Sequence, residues 1–310
     1  MKQESSGQEA GTRSGGLLFG NAYLLLVLTT LMWGANAVAG RLAVGEISPM
    51  ALTGFRWVGV VVLLALFARK TVTAEWPVLR WHLPFLMTLG ALGFTAFNAL
   101  FYVAAHTTQA INIGIIQGSI PIFVLLGAYL VYRTRVTLVQ VLGVAATMIG
   151  VALVATQGEL ARIVDFQFNR GDLLMVVACA LYAGYTVALR RRPAVSGLAM
   201  FSVMAGAAFL TSIPLVIVEV AMGDFQWPTL TGWGVLAYVV VFPSLLSQIF
   251  FLRSVELVGP GRAGVFVNLV PVFSAALAVI ILGEQFQLYH ALALGSVLGG
   301  IWLAERHRSS

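Results

Sequence analysis

Long apolar runs, separated by short clusters of polar and charged residues, form the dominant pattern of this chain. Ten such runs of about 17–25 residues can be drawn, at 21–43, 49–68, 83–104, 109–132, 136–155, 171–190, 198–221, 232–254, 262–282 and 288–304. A helix of about 20 apolar residues crosses a hydrocarbon core of roughly 30 Å. We therefore predict an all-α membrane protein with ten transmembrane helices, since a β-barrel would alternate in segments of about ten residues.

Composition supports the membrane assignment and excludes several chemistries. The chain is 59% hydrophobic and 10% charged, whereas soluble domains carry roughly 25% charged residues. Its only cysteine, Cys179, permits neither a disulfide framework nor a thiolate metal site within one chain. The sequence contains no phosphate-binding G-x-x-x-x-G-K-[ST] loop, no H-E-x-x-H and no setting for a nucleophilic serine. We predict neither enzyme activity, nor a cofactor, nor a metal.

Loop charges predict the orientation. If the N-terminus is cytoplasmic, inside segments hold 14 basic residues and outside segments hold 3. This asymmetry satisfies the positive-inside rule and places both termini in the cytoplasm. The net charge of +6 is then loop charge rather than a nucleic-acid-binding surface. Residues 1–20 are predicted to form a disordered cytoplasmic tail without a cleavage site, residues 306–310 a second tail, and the location is the bacterial inner membrane.

The second half of the chain repeats the first at an offset of about 150 residues. "SIPIF" at 119–123 matches "LVPVF" at 269–273, and Gly114 and Gly150 meet Gly264 and Gly300. "LMWGANAVAGR" at 31–41 aligns with "ALYAGYTVALR" at 180–190. We predict a first five-helix repeat at 21–155, a periplasmic linker at 156–170 and a second repeat at 171–305. Because five is odd, the second repeat crosses in the opposite sense.

An inverted repeat favours transport. Secondary transporters use such repeats to surround a central cavity, with the substrate site near the midplane at the repeat interface. Inverted repeats also occur in channels, so a carrier is favoured less strongly than transport itself.

Several motifs resemble the ten-helix drug/metabolite transporter superfamily with two EamA-type repeats. They are Trp33-Gly34, "GIIQGSIPIF" in the fourth run and, most specifically, "GVFVNLVPVFSAALAVIILGEQF" in the ninth. The resemblance covers roughly residues 20 to 305, and Thr134 stands where the second repeat has Glu284. It implies the export or exchange of metabolites or drugs, and the chain looks most like the YddG-type exporters of aromatic amino acids.

Stripes of aromatic, amide and small residues mark the faces predicted to line the cavity. They occur in runs 1, 3, 4, 6, 8 and 9, and polar groups within a bilayer usually face the bundle interior. The candidate substrate-binding residues are Trp33, Asn36, Asn98, Tyr102, Gln117, Tyr182, Tyr185, Gln248 and Asn268. Amides bind carboxylate and ammonium groups, and rings offer apolar and cation–π contacts. The alternative is interhelical packing.

Three further residues are candidates for gates or hinges. Pro121 and Pro271 lie at matched mid-span positions, and each removes a backbone hydrogen bond and kinks its helix. Arg56 lies within the second run. It either attracts anions at the outer mouth or, as we prefer, snorkels and pairs locally.

These features together predict a function. We predict an inner-membrane secondary transporter that exports amino acids, aromatic ones best, by alternating access. No acidic residue lies near the middle of a run, which favours facilitated diffusion. The alternatives are a proton-coupled drug carrier, a sugar-phosphate exchanger or a non-transporting scaffold. The predicted partners are a small-molecule substrate and the lipid bilayer, with no nucleic acid, and the chain is a monomer or a homodimer.

Overall fold

A computed structural model describes residues 19–133, 137–159 and 169–306, and every regular element in these ranges is helical. In chain order we name ten helices: α1 Ala22–Leu42, α2 Pro49–Phe67, α3 Arg69–Ala105, α4 Ala110–Tyr132, α5 Leu138–Ala155, α6 Arg170–Arg191, α7 Gly197–Met222, α8 Leu230–Val258, α9 Arg262–Leu282 and α10 Leu288–Arg306. Within the described ranges α1–α9 are long and apolar enough to span a membrane, and α10 contains a shorter apolar stretch. The predicted all-α fold of ten helices is confirmed.

The boundaries differ from the prediction mainly at α3. The apolar run begins at 83, but the helix begins at Arg69 because the polar segment Arg69–Leu79 is also helical. Hydropathy does not register a polar helix at a membrane surface. Of the predicted tails and linker, residues 1–18, 160–168 and 307–310 lie outside the described residues.

Helix packing follows a two-fold pattern between the first half, α1–α5, and the second half, α6–α10. Helix α1 packs on α8 and α9, and α6 packs in the same way on α3 and α4. Three further pairs join a helix to its own counterpart, α2 with α7, α4 with α9, and α5 with α10, and α3 also packs on α7. This arrangement fits two repeats of five helices and places α1, α3, α4, α6, α8 and α9 around the centre.

Two helices in each half are interrupted at matched positions. In α3 and α8 the turns widen into π-helical segments, Ala91–Ala96 and Val240–Leu246. In α4 the helix pauses at Gly118–Ser119, and in α9 a 3₁₀ segment covers Val267–Leu269. Pro121 and Pro271 therefore lie in the first turn of the helical segments that follow these breaks, where a proline disrupts no hydrogen bond. The mid-helix kink predicted for them takes the form of a break just before each proline.

Candidate functional site

A cavity lies at the middle of the bundle between the two halves. It contains about 750 Å³ of unoccupied space, which includes open solvent. Its wall consists of Trp33, Asn36, Arg56, Trp57, Gly93, Phe94, Phe97, Asn98, Gln117, Ile120, Tyr182, Pro243, Ser244, Gln248, Val267 and Val270. All six predicted helices contribute to this wall, and so does α2, which was not among the runs predicted to line the cavity.

Six of the nine proposed substrate-binding residues line the cavity, namely Trp33, Asn36, Asn98, Gln117, Tyr182 and Gln248. The other three, Tyr102, Tyr185 and Asn268, are absent from its wall. Tyr102 lies behind it and binds Arg56. Tyr185 is 7% exposed and packs against Phe94 with 5.6 Å between ring centroids. The pattern of rings and amides identified helices that line the cavity, but it could not resolve which of their residues face it.

Arg56 is the polar centre of the wall. Only 5% of its surface is exposed, which contradicts the snorkelling part of the preferred interpretation, whereas the pairing part agrees with three hydrogen bonds. Its Nε donates to Ser244 Oγ at 2.7 Å, and its Nη1 donates to Asn98 Oδ1 at 2.7 Å and to Tyr102 Oη at 2.6 Å. Snorkelling carries a charge toward water, whereas these three oxygens hold the guanidinium inside the bundle.

The two π-helical segments fix the groups that hold Arg56. A π-turn leaves carbonyl groups without their usual α-helical partners, and such segments are frequent at functional sites. Asn98 Nδ2 donates to the carbonyl of Phe94 at 2.6 Å, and Ser244 Oγ donates to the carbonyl of Val239. One anchor therefore comes from each half, and the guanidinium spans the interface between them.

Aromatic rings form the apolar part of the wall. Trp57 and Phe94 stack with 4.8 Å between centroids and 9° between ring planes, and Phe97 packs on Tyr182 at 5.1 Å. Sequence reasoning missed Trp57 because α2 is otherwise aliphatic. The signal that could have found it was its neighbour Arg56, a charge that had to face the bundle interior.

One end of the bundle is sealed by contacts between the halves; we call it the sealed end and define it by the loops 43–48, 106–109, 223–229 and 283–287. Glu284 accepts from the N–H groups of Ala110 and Ile111 at 2.8 and 3.0 Å. Glu219 accepts likewise from those of Met50 and Ala51 at 2.9 and 3.0 Å. Each carboxylate therefore caps the N-terminus of a helix in the other half, where the helix dipole favours negative charge.

A buried polar cluster reinforces the sealed end. Asp172 in α6 is fully buried and accepts from Thr108 Oγ1 and, at 3.3 Å, from Asn112 Nδ2. The backbone N–H of Gln287 donates to His290 Nδ1 at 2.9 Å, so Nε2 carries the ring proton and donates to Asn112 Oδ1 at 3.1 Å. The cluster joins α4 to α6 and α10. Sequence reasoning missed it because its members lie near helix ends.

His106 lies in the loop after α3 at the same end. Burial lowers the pKa of its imidazole from the usual 6.5, and the nearby Arg41 guanidinium lowers this pKa further. The ring is therefore neutral at pH 7, so it adds no second positive charge to that of Arg41.

Comparison with known proteins matches this architecture to transporters. The model of the EamA-like transporter family matches twice, at residues 20–156 and 169–305. The uncharacterized transporter YyaM of Bacillus subtilis (strain 168) is 26% identical over 92% of this chain and 93% of its own. The uncharacterized inner membrane transporter YedA of Escherichia coli (strain K12) is 23% identical over 92% and 90%.

A solved crystal structure supports the fold. It superposes with a TM-score of 0.61 over 93% of this chain and 99% of its own, at 20% identity. The two matches to the family model cover most of the chain, one in each half, so the chain belongs to the EamA-like transporter family and is a multi-pass membrane transporter of small molecules.

Proposed function

We propose that this transporter is a secondary carrier of the bacterial inner membrane. It exports amino acids, aromatic ones best, and similar small amphipathic metabolites by alternating access and facilitated diffusion. The observation that carries the proposal is the cavity at the interface of the halves, walled by rings and amides near mid-span. Rings receive an apolar body, while amides and a guanidinium receive a polar head.

The sealed end gives the proposal a direction. If the termini are cytoplasmic, as the loop charges predict, the sealed end faces the periplasm. Gln248 in α8 and Val267 in α9 extend the cavity toward the opposite, cytoplasmic end. This is the side from which an exporter loads its substrate, so the structure fits a loading state.

Other transport classes fit the wall less well. A sugar-phosphate exchanger needs several basic groups for phosphate, and among the described residues Arg56 is the one basic side chain that lines this wall. A proton-coupled drug carrier needs a titrating carboxylate beside its cationic substrate. The buried carboxylates Asp172 and Glu219 bind partners at the sealed end and do not line the cavity.

Efflux from proteoliposomes tests the proposal. We expect radiolabelled phenylalanine to leave liposomes that contain the protein faster than empty liposomes. Tyr182→Ala and Asn36→Ala should lose at least tenfold in rate while still inserting, because each removes a wall group. Tyr129→Ala is the matched control, since Tyr129 is 43% exposed and lies outside the cavity wall.

The same assay excludes the alternatives. A scaffold would show no efflux, and its membrane insertion would be equal in all variants. No efflux above empty liposomes across the twenty amino acids and a panel of drugs would refute the proposed function.

A further inference from the structure

We propose that the cavity recognises its substrates, aromatic amino acids among them, by a carboxylate, which binds Arg56 while the apolar body packs on the aromatic wall. This rests on the proposed function, because it concerns the same cavity. It narrows the substrate class by charge: an anion is preferred to a zwitterion, and a zwitterion to a cation.

The first argument is the charge of the buried site. Arg56 is 5% exposed, and its three hydrogen-bond partners are neutral oxygens. The ion pair found among the described residues, Arg253–Glu256, lies elsewhere in the bundle, and no acidic residue belongs to the cavity wall. A buried charge is costly unless it is paired. A carboxylate on the ligand supplies the missing partner.

The second argument is the geometry of the guanidinium. It has five N–H donors in a planar fork. The bonds to Ser244, Asn98 and Tyr102 use Nε and Nη1, and Nη2 carries two further N–H groups. Because Arg56 lines the cavity, a carboxylate in that space can accept from Nη2 in a charge-assisted bond, which is stronger than a neutral one. The three protein bonds hold the fork in place before the ligand arrives.

The third argument is the environment next to the charge. Trp57 lies under the guanidinium, with 5.5 Å from Cζ to the ring centroid, and stacks on Phe94. Phe97 and Tyr182 continue the ring surface along the wall. A flat apolar body attached to a carboxylate therefore meets rings within the same cavity. A single basic group also matches one negative charge better than the two of a phosphate monoester.

Four ligands of similar shape and different charge separate the effect of charge on affinity from that of size. They are 3-phenylpropionate (anion), phenylalanine (zwitterion), 3-phenylpropanamide (neutral) and phenethylamine (cation). Isothermal titration calorimetry with the purified full chain in detergent should give the tightest binding for 3-phenylpropionate. The neutral amide should bind at least tenfold more weakly, since a lost charge-assisted bond has about that effect. Phenylalanine should bind between them, and phenethylamine most weakly.

Two variants locate the effect. Arg56→Met should reduce the affinity for 3-phenylpropionate at least tenfold and leave that for the amide within about twofold. Arg56→Lys should recover part of the loss, because it restores the charge without the planar fork. Folding is checked by size-exclusion chromatography, and the ligand series on the unmodified protein does not depend on any variant.

The outcomes distinguish this inference from the proposed function. Equal affinity for the amide, a preference for the amine, or no binding of the anion overturns recognition by the carboxylate even where amino-acid efflux is observed. Absence of efflux for every compound tested overturns the proposed function even where the anion binds.

Discussion

Gly114 and Gly264 occupy matched positions in the two halves, yet their surroundings differ. A Cβ added to Gly114 would overlap the side chain of Ser274 in α9, whereas one added to Gly264 would meet nothing within 4 Å. By the 150-residue offset the mirror image of the Gly114–Ser274 contact is Gly264–Val124, and only the first is tight. Helices α4 and α9 therefore touch at the sealed end and stand apart toward the other.

The pair α5–α10 gives the opposite result. A Cβ on Gly150 would lie 2.7 Å from the carbonyl oxygen of Ala293, and one on Gly300 would lie 2.5 Å from that of Gly143. Both matched glycines are in close backbone contact, so this pair is symmetric. The two pairs show that α5–α10 is a brace, and that the pseudo-symmetry of the bundle is broken at α4–α9. A carrier that alternates between two states would exchange the tight and open ends of the α4–α9 pair.

The largest expected effect concerns the brace. Gly300→Ala and Gly150→Ala should each destabilise the protein by about 1–3 kcal/mol, because backbone atoms cannot move aside for the new methyl group. The measurement is the thermal unfolding midpoint of the purified protein. Gly295→Ala in α10 is the matched control, since nothing lies within 4 Å of its added Cβ. Two clearly unequal losses would contradict the symmetry of the brace.

The second prediction contrasts Gly114 and Gly264, the matched glycines of the α4–α9 pair. Gly114→Ala should destabilise this state by about 1–2 kcal/mol through overlap with the side chain of Ser274, while Gly264→Ala should stabilise it by about 0.5–1 kcal/mol through helix propensity. The readout is the labelling of Cys179, which is buried and donates to the carbonyl of Ile116 in α4. Labelling should become faster in the first variant and slower in the second.

Opposite signs are the essential result of that experiment. If both substitutions changed the rate of Cys179 labelling in the same direction, the different contacts of Gly114 and Gly264 would not determine the stability of this state. Transport adds a second readout, because Gly264→Ala should slow turnover without weakening substrate binding: its methyl group obstructs only the alternate state.

The smallest expected effect concerns the cap that helps hold the sealed end. Glu284→Gln should weaken it by about 0.5–2 kcal/mol, because a neutral amide accepts less strongly from the N–H groups of Ala110 and Ile111. Cys179 should then be labelled severalfold faster. Glu256→Gln is the control, since the Glu256 side chain is 64% exposed and its ion pair with Arg253 joins neighbours on one helix. An unchanged rate of Cys179 labelling in Glu284→Gln would show that this cap does not contribute to the asymmetry between the two ends of α4–α9.

The sequence predicts more of the fold than of the site, for physical reasons. Apolar length reports a membrane span directly, so the helices were predicted within a few residues except where Arg69–Leu79 extends α3 as a polar helix. The 150-residue offset likewise predicted which positions are equivalent. It could not predict which of two equivalent contacts is closed, because Gly114 and Gly264 are the same residue type.

Site residues were harder because helical periodicity predicts a face and not a depth or a partner. Trp33, Asn36 and Tyr182 lie in the cavity wall as proposed, but Tyr185 lies outside this wall, behind Gly93. Arg56 was mistaken for a snorkelling side chain because its partners Asn98, Tyr102 and Ser244 are distant in sequence. At the 150-residue offset Arg56 corresponds to the stretch Met204–Gly206 of α7, which is uncharged. The second repeat therefore contains no matching buried charge that could have revealed the role of Arg56.

The π-helical segments change which face of α3 and of α8 points toward the centre of the bundle. An extra residue in one turn rotates everything beyond it by about 100°. Before Ala91 helix α3 packs on α7, and after Ala96 it packs on α6. One continuous helix thereby presents one face to the periphery and a different face to the centre. This rotation orients Asn98 toward Arg56. The extra residue in one turn of α3 therefore helps to determine where the guanidinium is held.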